Sequence, residues 1–175
     1  MNHRSIGTGP RVDIKTSYGS VIVDLYANKS PITVANFLTY VEDSFYENTL
    51  FHRVIDNFLV QGGGYDPGLI QKTTRLPIQN EADNGLRNDR GSLSMARLDE
   101  DPHSATAQFF INTADNDLLN YGKTESTWGY CVFGAVRTGM KVIERIEGIP
   151  TMTRNSHHNV PIQPVIINKI IVLPN

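Results

Sequence analysis

The sequence predicts a single, mainly β domain of many short strands and two helices. Its length of 175 residues is that of one domain with a substantial core. Short segments alternate apolar and polar residues, as strands with one packed face do. Only two segments carry apolar residues at the three- and four-residue spacing of a helix. Periodicity alone leaves several α+β and barrel architectures open.

A hairpin is predicted at the start of this domain. Its arms are residues 11–16 and 20–26, joined by Ser17-Tyr18-Gly19. One face of the second arm carries the apolar residues Val21, Val23 and Leu25. This alternation indicates a strand packed on one side only.

Two helices are predicted from their apolar stripes and their end signals. Ser30 is the expected N-cap of the first, with Pro31 in the first turn. The second runs from Gly139 to Gly148, where a C-terminal cap is expected and Pro150 prevents continuation. The stripes are Val34, Phe37, Leu38 and Val41 in the first helix and Met140, Ile143 and Ile146 in the second.

The remaining predicted strands cover residues 92–98, 108–112, 128–136 and 165–173, and residues 65–91 form a long irregular loop. In the second of these strands Phe109 and Phe110 are adjacent, so their side chains point to opposite faces. Therefore one of the two rings must face something other than the hydrophobic core.

The segment 51–64, FHRVIDNFLVQGGG, is the most informative part of the sequence. Its apolar arms flank Asp56-Asn57, which suits a tight two-residue turn. Arg53 is always charged and needs acceptors nearby if it is to lie among apolar neighbours, and Gln61 on the returning arm is a candidate partner. From composition alone, an ordinary hairpin with a solvated arginine remains the alternative.

Composition restricts the partners and the compartment. The formal net charge of −2 gives no electrostatic footprint for nucleic acid or an anionic membrane. Residues 1–10 are polar, so we expect a flexible lead-in to a domain at 11–175. Because no secretion signal is evident, we expect a cytoplasmic location. We also expect a monomer, because the sequence shows no long apolar edge or heptad pattern. Cys131 is the only cysteine, which excludes an intrachain disulfide and favours a buried free thiol.

Motifs for other chemistries are absent from the sequence. It has no G-x-S-x-G, H-E-x-x-H, C-x-x-C or phosphate-binding G-K-[ST]. The acidic run 99–101 lacks the spacing of a hard-cation loop. His157-His158, in a predicted polar loop, has no Cys, Asp or Glu within several positions. We therefore expect neither a metal nor a cofactor.

The hairpin sequence resembles the signature hairpin of the cyclophilins, the cyclosporin-class peptidyl-prolyl cis-trans isomerases. The resemblance continues through SMAR (94–97), SATAQFFIN (104–112), DNDLLN (115–120) and GYCVFGAV (129–136), and it is closest to the compact bacterial members of the isomerase B type. It implies a closed eight-stranded antiparallel β-barrel capped by two α-helices. It also implies rotation about X-Pro peptide bonds in proline-containing peptides and unfolded protein chains.

The resemblance also implies roles for individual residues. Arg53 would be catalytic, with Gln61 orienting it and the substrate carbonyl. Ala96 and Arg97 would pair with the extended peptide, and Gln108 and His52 would border the ligand. The proline pocket would consist of Phe58, Leu59, Phe110, Leu119 and, at its edge, Tyr130.

Two positions depart from many eukaryotic cyclophilins. Leu118 stands where those members have a tryptophan associated with cyclosporin binding, and Tyr130 stands where they have a histidine. We therefore expect weak cyclosporin binding with catalysis preserved. The alternative function is a non-catalytic module or chaperone that holds proline-containing segments, for which a fixed cation at Arg53 would have little use.

Overall fold

The computed structural model of the chain describes residues 9–123 and 128–174. The strands are β1 (Arg11–Thr16), β2 (Gly19–Leu25), β3 (Thr49–Leu50), β4 (Arg53–Ile55), β5 (Leu59–Gly62), β6 (Ser92–Met95), β7 (Phe109–Asn112), β8 (Val132–Thr138), β9 (Thr151–Arg154), β10 (His157–Pro161) and β11 (Ile166–Leu173). The helices are α1 (Pro31–Glu42) and α2 (Met140–Glu147). The prediction of a mainly β protein with two helices is confirmed.

Nine of these strands form one antiparallel sheet in the order β3-β11-β1-β2-β8-β6-β7-β5-β4, and β9 pairs with β10 alone. The prediction of a closed eight-stranded barrel is wrong, because the sheet is a strongly curled half-barrel with β3 and β4 at its edges. Leu50 in β3 instead exchanges backbone hydrogen bonds with Gly63 and Tyr65, which follow β5. These irregular residues use the backbone groups that direct closure would require.

The core lies in the concavity of the sheet under α1. Phe37 of α1 is fully buried, and its ring lies 5.3 Å from Phe133 and 5.6 Å from Phe109 between centroids. In α2, Ile143 and Ile146 are fully buried as the stripe predicted. Within the described ranges, neither helix has the length and apolar character needed to cross a membrane.

The start of α1 is stabilised differently from the prediction. Ser30 is the N-cap residue as predicted, but its side chain makes no capping hydrogen bond, since its hydroxyl donates to the Val132 carbonyl at 2.8 Å. The carboxylate of Glu81, from the long loop, accepts from the backbone N–H groups of Ile32 at 3.1 Å and Thr33 at 2.8 Å. A distant carboxylate thus satisfies helix N–H groups, which local sequence does not reveal.

The turn of the central hairpin is longer than predicted. Ile55 pairs with Leu59, so three residues, Asp56-Asn57-Phe58, connect β4 to β5. Asn57 has φ of 53°, and its N–H donates to the Glu147 carboxylate of α2 at 2.7 Å. The extra residue removes Phe58 from the strand and leaves it at the tip of the hairpin.

Other parts of the chain also differ from the sequence prediction. The strand predicted over 92–98 ends at Met95. The strand predicted over 128–136 corresponds to β8, which starts only at Val132. Gly129, inside the predicted strand, has a positive φ of 59°, which is not a strand conformation. The histidine pair predicted in a polar loop lies in β10 instead. Residues 1–8 of the predicted flexible lead-in lie outside the described residues, while the Pro10 carbonyl accepts from Leu25 N–H at 3.0 Å.

Candidate active site

Sheet register brings the central arginine, a glutamine and an aromatic ring onto one face. Arg53 in β4 is directly opposite Gln61 in β5, and Gln61 is directly opposite Phe110 in β7. Directly paired residues of antiparallel strands point to the same side. Because β4, β5 and β7 are neighbours in the sheet, these three side chains form one row, although Arg53 and Phe110 are 57 positions apart in the sequence.

Two hydrogen bonds hold the polar end of this row. Arg53 donates through one terminal guanidinium nitrogen to Gln61 Oε1 at 3.1 Å, and Gln61 Nε2 donates to Gln108 Oε1 at 3.1 Å. None of the ion pairs among residues 9–123 and 128–174 includes Arg53. The Arg53 side chain is half-buried. Because a neutral amide and not a carboxylate orients the guanidinium, its charge remains available to a ligand.

The glycine run after β5 makes room for this arrangement. A Cβ on Gly64 would lie 2.4 Å from Cγ of Gln108, closer than non-bonded atoms approach. The absence of a side chain at Gly64 therefore permits Gln108 to reach Gln61. This close approach is a specific reason for glycine at that position.

A pocket of about 310 Å³ opens beside Arg53. Its apolar part has the size and lining suited to a small ring. The lining residues are Arg53, Phe58, Leu59, Gln61, Ala96, Arg97, Asp99, Phe110, Leu119 and Tyr130. Nine of the eleven residues predicted for the site thus line one pocket, and only His52 and Gln108 do not.

Phe110 forms the floor of this pocket and Tyr130 stands beside it. Phe110 is 2% exposed, and its ring meets Tyr130 edge to face with 5.7 Å between centroids. Phe109 is fully buried on the opposite face, so the prediction that the two adjacent rings separate is confirmed. The backbone carbonyl of Phe58 accepts from Thr113 N–H at 3.0 Å, which ties the hairpin tip to the chain after β7.

The rim at Tyr130 is charged on both sides. The Tyr130 hydroxyl donates to Asp99 Oδ1 at 2.9 Å, and the Arg97 guanidinium lies 4.5 Å from the ring centroid. Arg97 also donates to the Gly129 carbonyl at 2.9 Å. Burial, and then the hydrogen bond to Asp99, raise the pKa of Tyr130, so the phenol keeps its proton at neutral pH.

A second depression of about 270 Å³ adjoins the first across Gln61, Ala96 and Arg97. The two predicted residues missing from the first pocket, His52 and Gln108, line it. Its other lining residues are Tyr65, Leu98 and Ser104. The two depressions together form a groove that continues past the Arg53 row.

His52 is a buried neutral imidazole at the base of this groove. It is 5% exposed, its Nδ1 has no hydrogen-bond partner among the described residues, and its ring packs 4.6 Å from Tyr65. Burial, then the charges of His157 and Arg53, lower its pKa to about 4. His157 completes an aromatic cluster, with its ring centroid 4.8 Å from that of Tyr65 and 6.2 Å from that of His52.

We expect the protein to lose stability in mild acid because of His52. Below pH 6.5 the unfolded chain protonates this residue while the folded protein does so only near pH 4, so stability falls through that window. Between pH 7 and pH 4.5 the expected loss is about 2.5 kcal/mol, because each pH unit between 6.5 and the folded pKa of about 4 costs about 1.4 kcal/mol. Urea unfolding at pH 7 and pH 4.5 measures it. The variant His52→Gln should lack this part of the loss, and an equal loss in both proteins would contradict the assignment.

Sequence reasoning missed Asp99, Tyr65, Leu98 and Ser104 as lining residues. Asp99 was interpreted as part of a solvated turn, although its position two residues after Arg97 was an available signal. The other three residues carry no motif of their own. Only the packing of the loops 65–71 and 97–104 beside the groove identifies them.

The chain is similar to known proteins over most of its length. The sequence model described as "Cyclophilin type peptidyl-prolyl cis-trans isomerase/CLD" matches residues 11–172. The chain belongs to the cyclophilin family. Peptidyl-prolyl cis-trans isomerase B of Escherichia coli (strain K12) is 51% identical to this cyclophilin over 162 residues, covering 92% of the chain and 98% of the relative.

Further comparisons agree with this family membership. Peptidyl-prolyl cis-trans isomerase cyp18 of Streptomyces antibioticus is 51% identical over 163 residues, covering 93% of this cyclophilin and 98% of the relative. A crystal structure of a Cryptosporidium parvum cyclophilin type peptidyl-prolyl cis-trans isomerase, in the presence of the dipeptide Ala-Pro, is 29% identical. It superposes with a TM-score of 0.81, covering 94% of this chain and 99% of that one. This cyclophilin is a peptidyl-prolyl cis-trans isomerase.

Proposed function

We propose that this cyclophilin catalyses prolyl isomerisation with Arg53 as the catalytic residue, and that the pocket beside Arg53 binds the proline ring. The observation that carries the proposal is the row in which Arg53, Gln61 and Phe110 are paired across three strands. It joins an oriented cation to an apolar pocket floor within one sheet face.

The reaction needs no nucleophile. Rotation about an X-Pro bond opposes amide resonance, with a barrier of ~18–20 kcal/mol, and no covalent bond breaks. In the twisted amide the nitrogen lone pair becomes localised and can accept a hydrogen bond. A guanidinium N–H of Arg53 then interacts with the twisted state more strongly than with the planar one, which is the condition for catalysis.

Gln61 positions this guanidinium and offers its own amide to the substrate. Its Oε1 accepts from Arg53, while its Nε2 bonds to Gln108, so its rotamer is restrained at both ends. A restrained donor has little reorganisation to undergo during rotation of the substrate bond. We propose that the substrate carbonyl before proline binds near Gln61.

The main chain of the substrate is proposed to extend along Ala96 and Arg97. The Ala96 N–H is already used, since it donates to the Gln108 carbonyl at 3.0 Å, so a peptide would pair with other backbone groups of residues 96–97. Such contacts bind an extended chain without reading its sequence closely. The second depression, bordered by His52 and Gln108, would hold a side chain that precedes the proline.

We propose further that the clients are proline-containing segments of unfolded proteins, and that the enzyme assists folding as a monomer in the cytoplasm. Broad client choice fits a site whose specific demand is one proline ring. The buried Cys131, whose pKa is raised by burial, has its thiol protonated and lies outside the proposed chemistry. Its reduced form suits a reducing compartment.

The experiment that tests the proposal follows cis-to-trans isomerisation of a short Ala-Pro peptide. The uncatalysed reaction takes tens of seconds at 25 °C, and an amount of protein far below that of the peptide should shorten it severalfold. Binding of the peptide without any acceleration would contradict the catalytic proposal. It would support the alternative, a module or chaperone that only holds proline-containing segments.

Cyclosporin should bind weakly to this protein. Leu118, at the position where many eukaryotic members have tryptophan, is 73% exposed and offers neither an indole N–H nor a flat ring. Calorimetric titration should find an affinity lower by about tenfold or more than that of the variant Leu118→Trp, in line with the contribution of a single aromatic anchor. Tight binding to the unmodified chain, equal to that of the variant, would contradict this expectation.

A further inference from the structure

Behind the pocket walls lies a network of side-chain amides centred on Asn88. Asn88 is 1% exposed and Asn112 is fully buried, and Ser94 is fully buried beside them. Asn88 Oδ1 accepts from Ser94 Oγ at 2.7 Å and from Asn112 Nδ2 at 3.1 Å. Asn112 Oδ1 in turn accepts from Asn116 Nδ2 at 2.7 Å. Asn112 and Asn116 lie within two of the sequence motifs, but the resemblance assigned no role to any of these three asparagines.

Each end of the network bonds to the backbone of a pocket wall. Asn88 Nδ2 donates to the carbonyl oxygens of Leu119 at 3.0 Å and Tyr130 at 3.2 Å. At the other end, Asn116 Nδ2 donates to the Phe58 carbonyl at 2.8 Å. Three walls that come from separate loops are therefore joined through one set of amides.

The network also reaches the pocket floor through the sheet. Ser94 in β6 is directly opposite Phe110 in β7, and Asn112 is directly opposite Leu59 in β5. These pairs put Ser94 and Asn112 on the same sheet face as the pocket. The amides thus occupy the sheet positions next to the aromatic floor.

Burial restricts the positions that the side chains of this network can take. Buried amides without partners are costly, so each member is held where its donors and acceptors are satisfied. Leu119, Tyr130 and Phe58 belong to irregular segments, with Leu119 in a short 3-10 turn. Such segments have no strand ladder to fix them. The carbonyls of Leu119 and Phe58 each accept one backbone N–H, and the amides add a second hydrogen bond to each.

We propose that Asn88, with Asn112 and Asn116, is a positioning network that fixes the width of the proline pocket and thereby the preference for a five-membered ring. This proposal rests on the proposed function, since it concerns the same pocket. The network touches neither Arg53 nor Gln61 in the described structure. Its loss should therefore weaken ring binding while leaving the catalytic cation in place.

The test compares Asn88→Ala and Asn116→Ala with the unmodified protein on two peptides, one with Ala-Pro and one with Ala-pipecolic acid, whose ring has six members. We expect KM for the proline peptide to rise about tenfold and kcat to change less than about threefold in each variant. The preference for proline over pipecolic acid should shrink by about fivefold as the pocket loosens. The double variant should lose less than the product of the single effects, because the two residues act through one network.

The control is Thr16→Val, which removes the hydroxyl bonded to the Gly19 carbonyl at 2.7 Å, in the β1–β2 turn. It lowers stability without touching the pocket, so its ring preference should not change. Asn88→Ser, which puts a shorter hydroxyl in place of the amide, serves if Asn88→Ala does not fold. Unchanged KM and ring preference in folded Asn88 variants would overturn the proposal.

Peptide dissociation constants separate this proposal from the catalytic one. Both peptides can be titrated by calorimetry without turnover, so the ring preference in binding is measurable even in an inactive protein. Loss of ring preference in the Asn88 variants supports the positioning network whether or not the wild type accelerates isomerisation. Unchanged binding preference together with normal wild-type catalysis rejects the network alone.

Discussion

Replacing Arg53 by alanine should reduce kcat/KM for a proline peptide by about 10²- to 10³-fold, the usual cost of removing one oriented transition-state donor. The reduction should appear mainly in kcat, because Arg53 is proposed to interact most strongly with the twisted amide. The fold should survive, since the side chain is half-buried and its hydrogen-bond partner Gln61 retains its bond to Gln108. The measurement is the isomerisation assay with circular dichroism as the check of folding.

Arg53→Lys is the matched variant for this prediction. Lysine keeps the charge but has a compact ammonium in place of the planar fork, so it cannot donate to Gln61 and the substrate in the same geometry. We expect activity between those of the wild type and Arg53→Ala. A folded Arg53→Ala protein with wild-type kcat would contradict the catalytic assignment.

Replacing Phe110 by alanine should remove the pocket floor and lower kcat/KM by about 10²-fold, mainly through a higher KM, as expected for lost ring binding. The ring is 2% exposed and packs against Tyr130, so its removal takes away the pocket floor and also the packing partner of Tyr130. The same change should lower the free energy of unfolding by about 3–5 kcal/mol, the usual cost of truncating a buried phenylalanine. Peptide titration and urea unfolding measure the two effects separately.

The adjacent Phe109 provides a matched control. It is fully buried on the opposite face, where its ring packs against Phe37 and Tyr46. Phe109→Ala should cost similar stability with little effect on KM under conditions in which the protein is folded. If either alanine variant fails to fold, the pair Phe109→Leu and Phe110→Leu makes the same comparison. Equal KM increases at both positions would indicate a general loss of structure.

Local sequence was sufficient for most elements of the fold. The alternation in β1 and β2, and the stripes of α1 and α2, each predicted the observed element, because burial on one side imposes its period on the sequence. Their ends were harder to predict. The side chain that caps α1 is that of Glu81, 51 positions beyond Ser30, counting from 30 to 81, and no local pattern records such a partner.

The same division applies to the site. The resemblance of the motifs around Arg53, Gln61 and Phe110 to those of the cyclophilins implied nine residues that line the pocket, since matched motif positions carry a family's site residues with them. Asp99 and the amides around Asn88 were not identified. Their positions depend on contacts between loops, at the pocket rim for Asp99 and behind the pocket walls for the amides. Loops have no regular periodicity, so these contacts cannot be inferred from a sequence pattern.

Patterns and motifs along the chain were enough to predict a mainly β cyclophilin with Arg53 close to apolar side chains. The open half-barrel, the three-residue hairpin turn and the place of His52 in the adjoining depression became evident only in the folded molecule. The difference arises from strand register. A shift of one residue exchanges the two faces of a strand, and only pairing across the complete sheet selects the face on which Arg53, Gln61 and Phe110 meet.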